Sequence, residues 1–236
     1  MTRTPTSLPG TVLYELKANS LSASPVSTWG IFSQSTSLQM PTWSATGGYN
    51  NGKYVNFAGT QWCNITSSLT IPMNTAGGFS FALLFKVTAV TTAGWERILE
   101  IRYPAYWPEG ICINRYGTTT DMRVQIFNAA GDAIALPVLP GCYDTANGWK
   151  FIVFRYRKSD NSTNAWSASS TTPFFTGTVS GTPSDVTSTM VDLCNDRGGS
   201  ISKVQLGGMA MFSGPLADAD IPTVFNYYQT SRSATA

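Results

Sequence analysis

The sequence contains no histidine and carries little charge. Only 12% of its 236 residues are Asp, Glu, Lys or Arg, about half the fraction usual in soluble domains. Without histidine, the chain cannot supply the base of a Ser-His-Asp or Cys-His mechanism. Zinc coordination is also disfavoured. The only glutamates are Glu15, Glu96, Glu100 and Glu109, which leaves few carboxylates for a hydrolase.

Long apolar runs are also missing, and cysteines are few. No apolar run reaches 18 residues, so the sequence predicts no membrane insertion. The first ten residues lack the apolar segment of a signal peptide. This favours use without secretion, with prior removal of a signal as the alternative. The four cysteines form no Cys-x-x-Cys pair. We expect buried thiols, with up to two disulfides as the alternative, at Cys63, Cys112, Cys142 and Cys194.

The charges that are present do not indicate a nucleic-acid partner. The net charge is +2, and the one basic cluster is Arg155–Lys158. We interpret this cluster as a strand end that runs into a solvated loop, with a phosphate-binding patch as the alternative. Serine, threonine, glycine and asparagine replace the missing charges. Such a surface is typical of extracellular and virion proteins.

Periodicity predicts strands along most of the chain. In Gly78–Val87, large apolar side chains alternate strictly, so this strand should be a spine of the core. Trp149–Tyr156 is apolar on both faces, as in a central strand. Other predicted strands are Val12–Leu16, Tyr54–Gly59, Cys63–Ile65, Arg97–Ile101, Ile111–Asn114, Met122–Phe127 and Ile201–Leu206. With no linker and no internal repeat, we predict one all-β domain over residues 11–230, with tails at 1–10 and 231–236.

The C-terminal part predicts the one helix of the chain. A buried strand starting at Leu206 is followed by a Ser213-Gly214-Pro215 turn and then by a helix start. Asp218 or Asp220 can cap the first turn, and Pro222 is tolerated there. The residues expected to form the buried face of this segment are Leu216, Ile221, Val224, Phe225 and Tyr228.

Four motifs in this order resemble the concanavalin A-like superfamily, in its laminin G and pentraxin form. The motifs are Val55–Gly59 with Trp62–Ile65, Gly78–Val87, Gly148–Tyr156 and Gly207–Tyr228. The resemblance implies a jelly-roll sandwich of two antiparallel sheets with one short C-terminal helix. It also implies a domain that binds glycans, binds proteins or builds shells. The family's Asp-Gly hairpin has no counterpart, because Ala165–Ser169 occupies its place. Calcium or ligand chemistry tied to that hairpin is therefore in doubt.

Glycoside hydrolases of this fold carry a Glu-x-Asp-x-Glu strand, and one stretch is similar to it. Glu96 and Glu100 would share a strand face, but Ile98 stands where the aspartate should be. An atypical hydrolase or lyase using these two glutamates is one hypothesis. The alternative is a surface strand in which Arg97 lies near a neighbour.

Two groups of residues are candidate ligand contacts. The loop 103–110 holds aromatic rings between Pro104 and Pro108, and such rings stack on sugars or on apolar partner surfaces. The alternative is that they fold back over the end of the sandwich. A second group belongs to the predicted polar turn Asp160–Asn164 and the residues just after it, and the Asp160 carboxylate there could offer oxygen to calcium. The candidates are Tyr103, Tyr106, Trp107, Glu109, Asn161, Asn164 and Trp166.

These observations predict a non-catalytic recognition or structural module that needs no cofactor. We expect it on a virion or another extracellular surface, in contact with glycans or with partner proteins such as other virion proteins. A cell-surface carbohydrate-binding adhesion module is a further alternative.

Overall fold

The computed structural model describes residues 7–65, 67–91, 95–102, 109–146, 148–167, 170–194 and 202–230, except the side chains of Glu109 and Thr230. The strands in this part are β1 (Thr11–Lys17), β2 (Thr28–Trp29), β3 (Phe32–Ser33), β4 (Thr42–Ser44), β5 (Tyr54–Ala58), β6 (Cys63–Ile65), β7 (Leu69–Ile71), β8 (Gly78–Ala89), β9 (Arg97–Arg102), β10 (Glu109–Arg115), β11 (Met122–Phe127), β12 (Ala133–Ala135), β13 (Val138–Leu139), β14 (Lys150–Arg157), β15 (Ser162–Ser167), β16 (Phe175–Thr178), β17 (Val186–Ser188), β18 (Val191–Leu193) and β19 (Lys203–Ser213). Helix α1 spans Ile221–Thr230, and 3-10 turns cover Ala18–Ser20, Ser37–Gln39, Tyr49–Asn51 and Asp218–Asp220.

The strands form two large antiparallel sheets. The first follows the order β16-β15-β14-β8-β19-β5-β4, with β1 also paired to β19. The second follows β12-β11-β10-β9-β18-β6-β3-β2, with β13 paired to β11, and β7 and β17 form a separate pair. The predicted all-β jelly-roll sandwich with one short C-terminal helix is therefore confirmed for the described residues.

Strand β8 is buried on both faces. Phe79, Phe81, Leu83, Phe85 and Val87 enter the main core between the two sheets, as their alternation predicts. Burying such side chains contributes about 1.5–3 kcal/mol each. On its other face, the apolar residues of β8 join a second cluster beneath α1, which includes Ala82, Leu84, Phe151, Phe212, Val224 and Tyr228.

Strand β19 runs through the middle of the first sheet, between β8 and the pair β1 and β5. Its register against β8 shifts between Leu206 and Gly208, so Gly207 is an extra residue in the ladder. At Gly208, an added Cβ would lie 2.5 Å from the Tyr228 ring. The glycine is thus required by the close approach of the helix to the sheet.

Helix α1 begins as the sequence predicts, and its two acidic residues have separate tasks. The Asp220 carboxylate accepts the backbone N–H of Ala217 at 3.3 Å, which supports the first turn. Asp218 instead pairs with the guanidinium groups of Arg155 and Arg157. The predicted apolar face is confirmed: Leu216, Ile221, Val224 and Tyr228 are buried, and Phe225 packs beside them.

All four cysteines are free and buried, which confirms the expectation of thiols over disulfides. In the described ranges, no helix is both long and apolar enough to cross a membrane. No group of three or more cysteine, aspartate or glutamate side chains suited to a metal ion is found in the same ranges.

Candidate functional site

The predicted aromatic loop connects β9 to β10. Tyr103, Tyr106 and Trp107 lie outside the described residues, and the same is true of the Glu109 side chain. The backbone of Glu109 opens β10 opposite Arg102. A role of these four residues in ligand binding stays a prediction.

The second predicted group is divided between a turn and a strand. Asn161 is exposed in the turn with a φ of 50°, a conformation that asparagine tolerates well. The predicted turn ends earlier than expected, because β15 begins at Ser162. Asn164 and Trp166 are therefore strand residues, and both are buried.

Asn164 and Trp166 hold a buried arginine. Arg155 donates to Asn164 Oδ1 at 2.9 Å and to the Leu216 carbonyl at 2.8 Å, and it pairs with Asp218. Its guanidinium lies 4.6 Å from the centre of the Trp166 ring. Arg155 and Tyr156 are both buried, so the solvated strand end expected at Arg155–Lys158 begins only at Arg157. The terminal nitrogens of Arg155 are paired within the protein, and they fasten the start of α1 to the sheet.

The carboxylate of Asp160 is used to close its own turn. It accepts the Ser162 hydroxyl at 2.6 Å and the Ser162 amide at 3.1 Å, and it pairs with Arg157 at 3.2 Å. The Ser162 hydroxyl, followed by the Ser162 amide and Arg157, lowers the pKa of Asp160 despite an opposing effect of desolvation.

Glu100 lies in β9 and Glu96 directly precedes this strand, and both are buried, so the expectation of a surface strand is wrong. Strand β9 lies between β10 and β18, and both glutamates have no exposed surface. Glu100 Oε1 pairs with Arg97 and Arg102, each at 2.8 Å. Burial is tolerated because these guanidinium groups compensate the carboxylate.

Glu96 belongs to a different ion pair from Glu100. Its carboxylate accepts the backbone N–H of Thr91 at 2.7 Å and lies 3.5 Å from Arg115. The two carboxylates that an acid and base mechanism would need are thus bound to separate partners.

Burial acts to lower the pKa of Arg102, but Glu100, with help from Asp192, raises it overall.

A ligand-sized feature of the described residues is an aromatic pocket on the helix side of the first sheet. Its volume is about 270 Å³, near the lower end of small-molecule sites, which begin at about 300 Å³. Five separate chain segments contribute to its wall. We call it the Trp149 pocket, and it is lined by Tyr49, Cys142, Trp149, Lys150, Phe151, Ile152, Ser167 and Phe225.

The rings of the Trp149 pocket are fixed by their neighbours. Trp149 meets the Tyr54 ring edge to face at 6.0 Å, and Phe151 meets Phe225 in the same way at 5.1 Å. Gln229 of α1 donates to the Tyr49 hydroxyl at 3.1 Å. The half-buried rings of Tyr49, Trp149 and Phe225 therefore form a wall whose shape is set before a ligand arrives.

Polar groups stand at the margin of this aromatic wall. Lys150 Nζ donates to the Gly141 carbonyl at 2.9 Å and lies 3.8 Å from the Asp144 carboxylate. Ser167 is exposed. Burial raises the pKa of Cys142 to about 11, which Lys150 opposes and Asp121 supports. The Cys142 thiol is therefore neutral at physiological pH, and Lys150 is the cation of the pocket.

Sequence reasoning missed this pocket because no single segment contains it. Trp149 reads as the start of a core strand, and Phe225 reads as part of a helix face. The available signal was the position of two rings directly after glycines, Tyr49 after Gly48 and Trp149 after Gly148.

Fold and pocket together define a jelly-roll β-sandwich with a small aromatic cleft. No protein-family model matches the sequence, and no curated protein matches it either. The similarities are to solved structures, and at 9–12% identity they support the fold alone.

Three of these structures illustrate the likeness. The binding domain of Paraclostridial Mosquitocidal Protein 1 has a TM-score of 0.59 and 9% identity, over 92% of this chain and 52% of that one. The botulinum neurotoxin serotype G binding domain gives 0.58 and 10%, over 91% and 50%. Trypanosoma rangeli sialidase gives 0.56 and 12%, over 99% and 36%. This chain therefore spans about half or a third of the neighbours' lengths.

Proposed function

We propose that the protein is a non-catalytic, lectin-like recognition module that binds a sugar ring in the Trp149 pocket. The observation that carries this proposal is the fixed wall formed by Tyr49, Trp149 and Phe225. Aromatic rings offer the C–H face of a sugar a large apolar contact at low entropic cost. Ser167, Lys150 and the Tyr49 hydroxyl stand beside them for the sugar hydroxyl groups.

Two further observations support the proposed role as a recognition module. The order of the sequence motifs resembles that of laminin G domains in the concanavalin A-like superfamily. We propose that the chain belongs to this superfamily. Structures similar in fold include domains described as binding domains, and a sialidase solved in complex with sialic acid.

The burial and ion pairing of Glu96 and Glu100 support the proposal that the module is non-catalytic. Most glycosidases use two carboxyl groups that flank a substrate bond. Glu96 and Glu100 instead lie buried in separate arginine pairs.

We place this module on a virion or another extracellular surface, where it contacts glycans or partner proteins. The low charge and the surface rich in hydroxyl and amide groups support this setting. The setting is independent of the pocket and can be tested by the assembly state of the purified chain.

Replacing Trp149 by alanine should weaken sugar binding by about tenfold or more, since about 1.4 kcal/mol of contact corresponds to one decade in affinity. The wild type is first screened on a glycan array, and the affinity for the best ligand is then measured by calorimetry. Trp149→Phe, which keeps a ring, should retain part of the affinity.

The matched control is Phe174→Ala, which removes an exposed ring from another part of the surface and should leave binding unchanged. Equal melting temperatures of the variants would separate lost contact from lost folding. Absence of any glycan bound by the wild type, or equal binding by Trp149→Ala and wild type, would overturn the proposal.

A further inference from the structure

A second group of exposed aromatic side chains, separate from the lining of the Trp149 pocket, lies beside the start of β9 and the end of β10 in the second sheet. Trp95 and Tyr116 are 41% and 38% exposed, and their rings meet edge to face at 5.8 Å. The Arg123 guanidinium lies 4.3 Å from the centre of the Trp95 ring and 5.4 Å from that of Tyr116. We call these three residues the Trp95 platform.

Arg115, the buried residue that precedes Tyr116, links the two chain segments that carry the rings. Arg115 donates to the carbonyl oxygens of Thr91, Thr118 and Thr119 at 2.6–2.8 Å. Its backbone N–H also donates to the Glu96 carbonyl at 2.8 Å. Glu96, which follows Trp95, and the hairpin after Tyr116 are thereby joined, so the platform is preorganised.

Trp95 adopts a backbone conformation that its own side chain disfavours. Its φ is +55°, in the left-handed region where large residues are rare and glycine is favoured. Because the Trp95 ring is half exposed, its burial offsets little of the free-energy cost of this backbone conformation. Strain of this kind is typically retained where a side chain serves a site.

The platform and the Trp149 pocket are connected through one segment. Tyr143 donates its backbone N–H to Thr120, and Gly141 donates to the Asp121 carboxylate. Cys142, which lines the pocket, lies between these two residues. The hairpin of Tyr116 and the wall of the pocket are therefore neighbours, although they share no lining residue.

We propose that the Trp95 platform binds a carboxylate-bearing sugar ring. The exposed parts of the Trp95 and Tyr116 rings provide contact for the apolar side of such a ring. A guanidinium donates two parallel hydrogen bonds to a carboxylate, a geometry that an ammonium group cannot reproduce. The inference rests on these residues alone and does not require the proposed role of the pocket.

The surroundings of the platform favour a single ring over a protein surface. The residues that follow Tyr116 are Gly117, Thr118, Thr119 and Thr120, so the chain beside this ring carries small and hydroxyl-bearing side chains. A stable protein interface needs roughly 800 Å² from each partner with an apolar centre. Two half-exposed rings in a threonine-rich margin suit a small polar ligand better.

Matched probes test the carboxylate directly. Sialyllactose is compared with lactose, and tetragalacturonate with its methyl ester, by calorimetry on the full chain. The wild type should bind each acid at least tenfold more tightly than its neutral counterpart. Arg123→Gln should abolish this preference, and Arg123→Lys should lose most of it despite keeping the charge.

Trp95→Gly separates a binding role from a structural one. Glycine suits a φ of +55°, so the melting temperature should stay the same or rise while acid binding falls at least tenfold. Phe174→Ala is the control for loss of an exposed ring, and Trp149→Ala should keep the preference for the acid.

Several results would overturn the proposal. They are equal affinity for acid and neutral probes, no acid binding, or wild-type binding by Trp95→Gly. Binding of polyglutamate but of no acidic sugar, lost in Arg123→Gln, would assign the platform to an acidic protein segment instead. Loss of acid preference in Trp149→Ala would place the acid in the pocket.

Discussion

Replacing Glu100 by alanine is expected to lower the free energy of unfolding by about 3–5 kcal/mol. The change leaves the guanidinium groups of Arg97 and Arg102 facing an empty site in the centre of a sheet, where Glu100 has no exposed surface. An uncompensated buried charge costs several kcal/mol, a large part of the roughly 5–15 kcal/mol that stabilises a typical domain. Urea denaturation at neutral pH measures the difference.

An exposed pair with the same sequence spacing is the control. Arg157 and Asp160 are also three residues apart, at 3.2 Å, but both are solvent-accessible. Asp160→Ala should therefore cost about 1 kcal/mol or less. If Glu100→Ala were as mild as Asp160→Ala, the buried arginine pairs would not stabilise β9 in the way described.

Stability should fall steeply above pH 9 because the buried thiols must stay protonated in the fold. Burial raises the pKa of Cys63 to about 12 and that of Cys142 to about 11, from 9.0 for a free thiol. The unfolded chain loses these protons first, so it binds fewer protons than the native state and is favoured as pH rises.

The stabilising effect of these thiols is complete below pH 9 and is lost as pH rises toward their folded pKa values. For Cys63 and Cys142 together, the loss by about pH 11 is on the order of 5 kcal/mol. Tyr14, whose pKa burial also raises, adds to the loss above pH 10. Urea denaturation across this range measures it. Cys142→Ala should show a smaller decline, and a flat profile to pH 11 would contradict the account.

The fold could be predicted from the sequence where one segment carries the whole signal. In β8, five alternating apolar residues predict a core strand without knowledge of its neighbours. In α1, spacing and acidic residues predict the start and the buried face. Sequence periodicity reports the environment of a residue along its own strand or helix.

Predictions from the sequence failed where the contact partner of a side chain is remote in the chain or where the sequence shows no periodic pattern. Trp166 resembles an exposed stacking residue until Arg155 and α1 are placed beside it. Glu100 has the sequence pattern of a surface charge because β18, one of the two strands that flank it, is distant in the chain. The Trp149 pocket was missed for the same reason, since its rings come from the β4–β5 turn, β14 and α1.

The central claim is that a sugar occupies the Trp149 pocket, and the indole signals of the protein test it most directly. The chain has seven tryptophans, so ¹⁵N labelling at the indole nitrogen gives a small set of resonances, assigned by substitution. The probe is the neutral sugar that binds most tightly on the array. On titration with this sugar, we expect the Trp149 signal to shift in a saturable manner, with the Trp43 and Trp166 signals unmoved. Saturable binding that leaves the Trp149 signal in place would contradict the account.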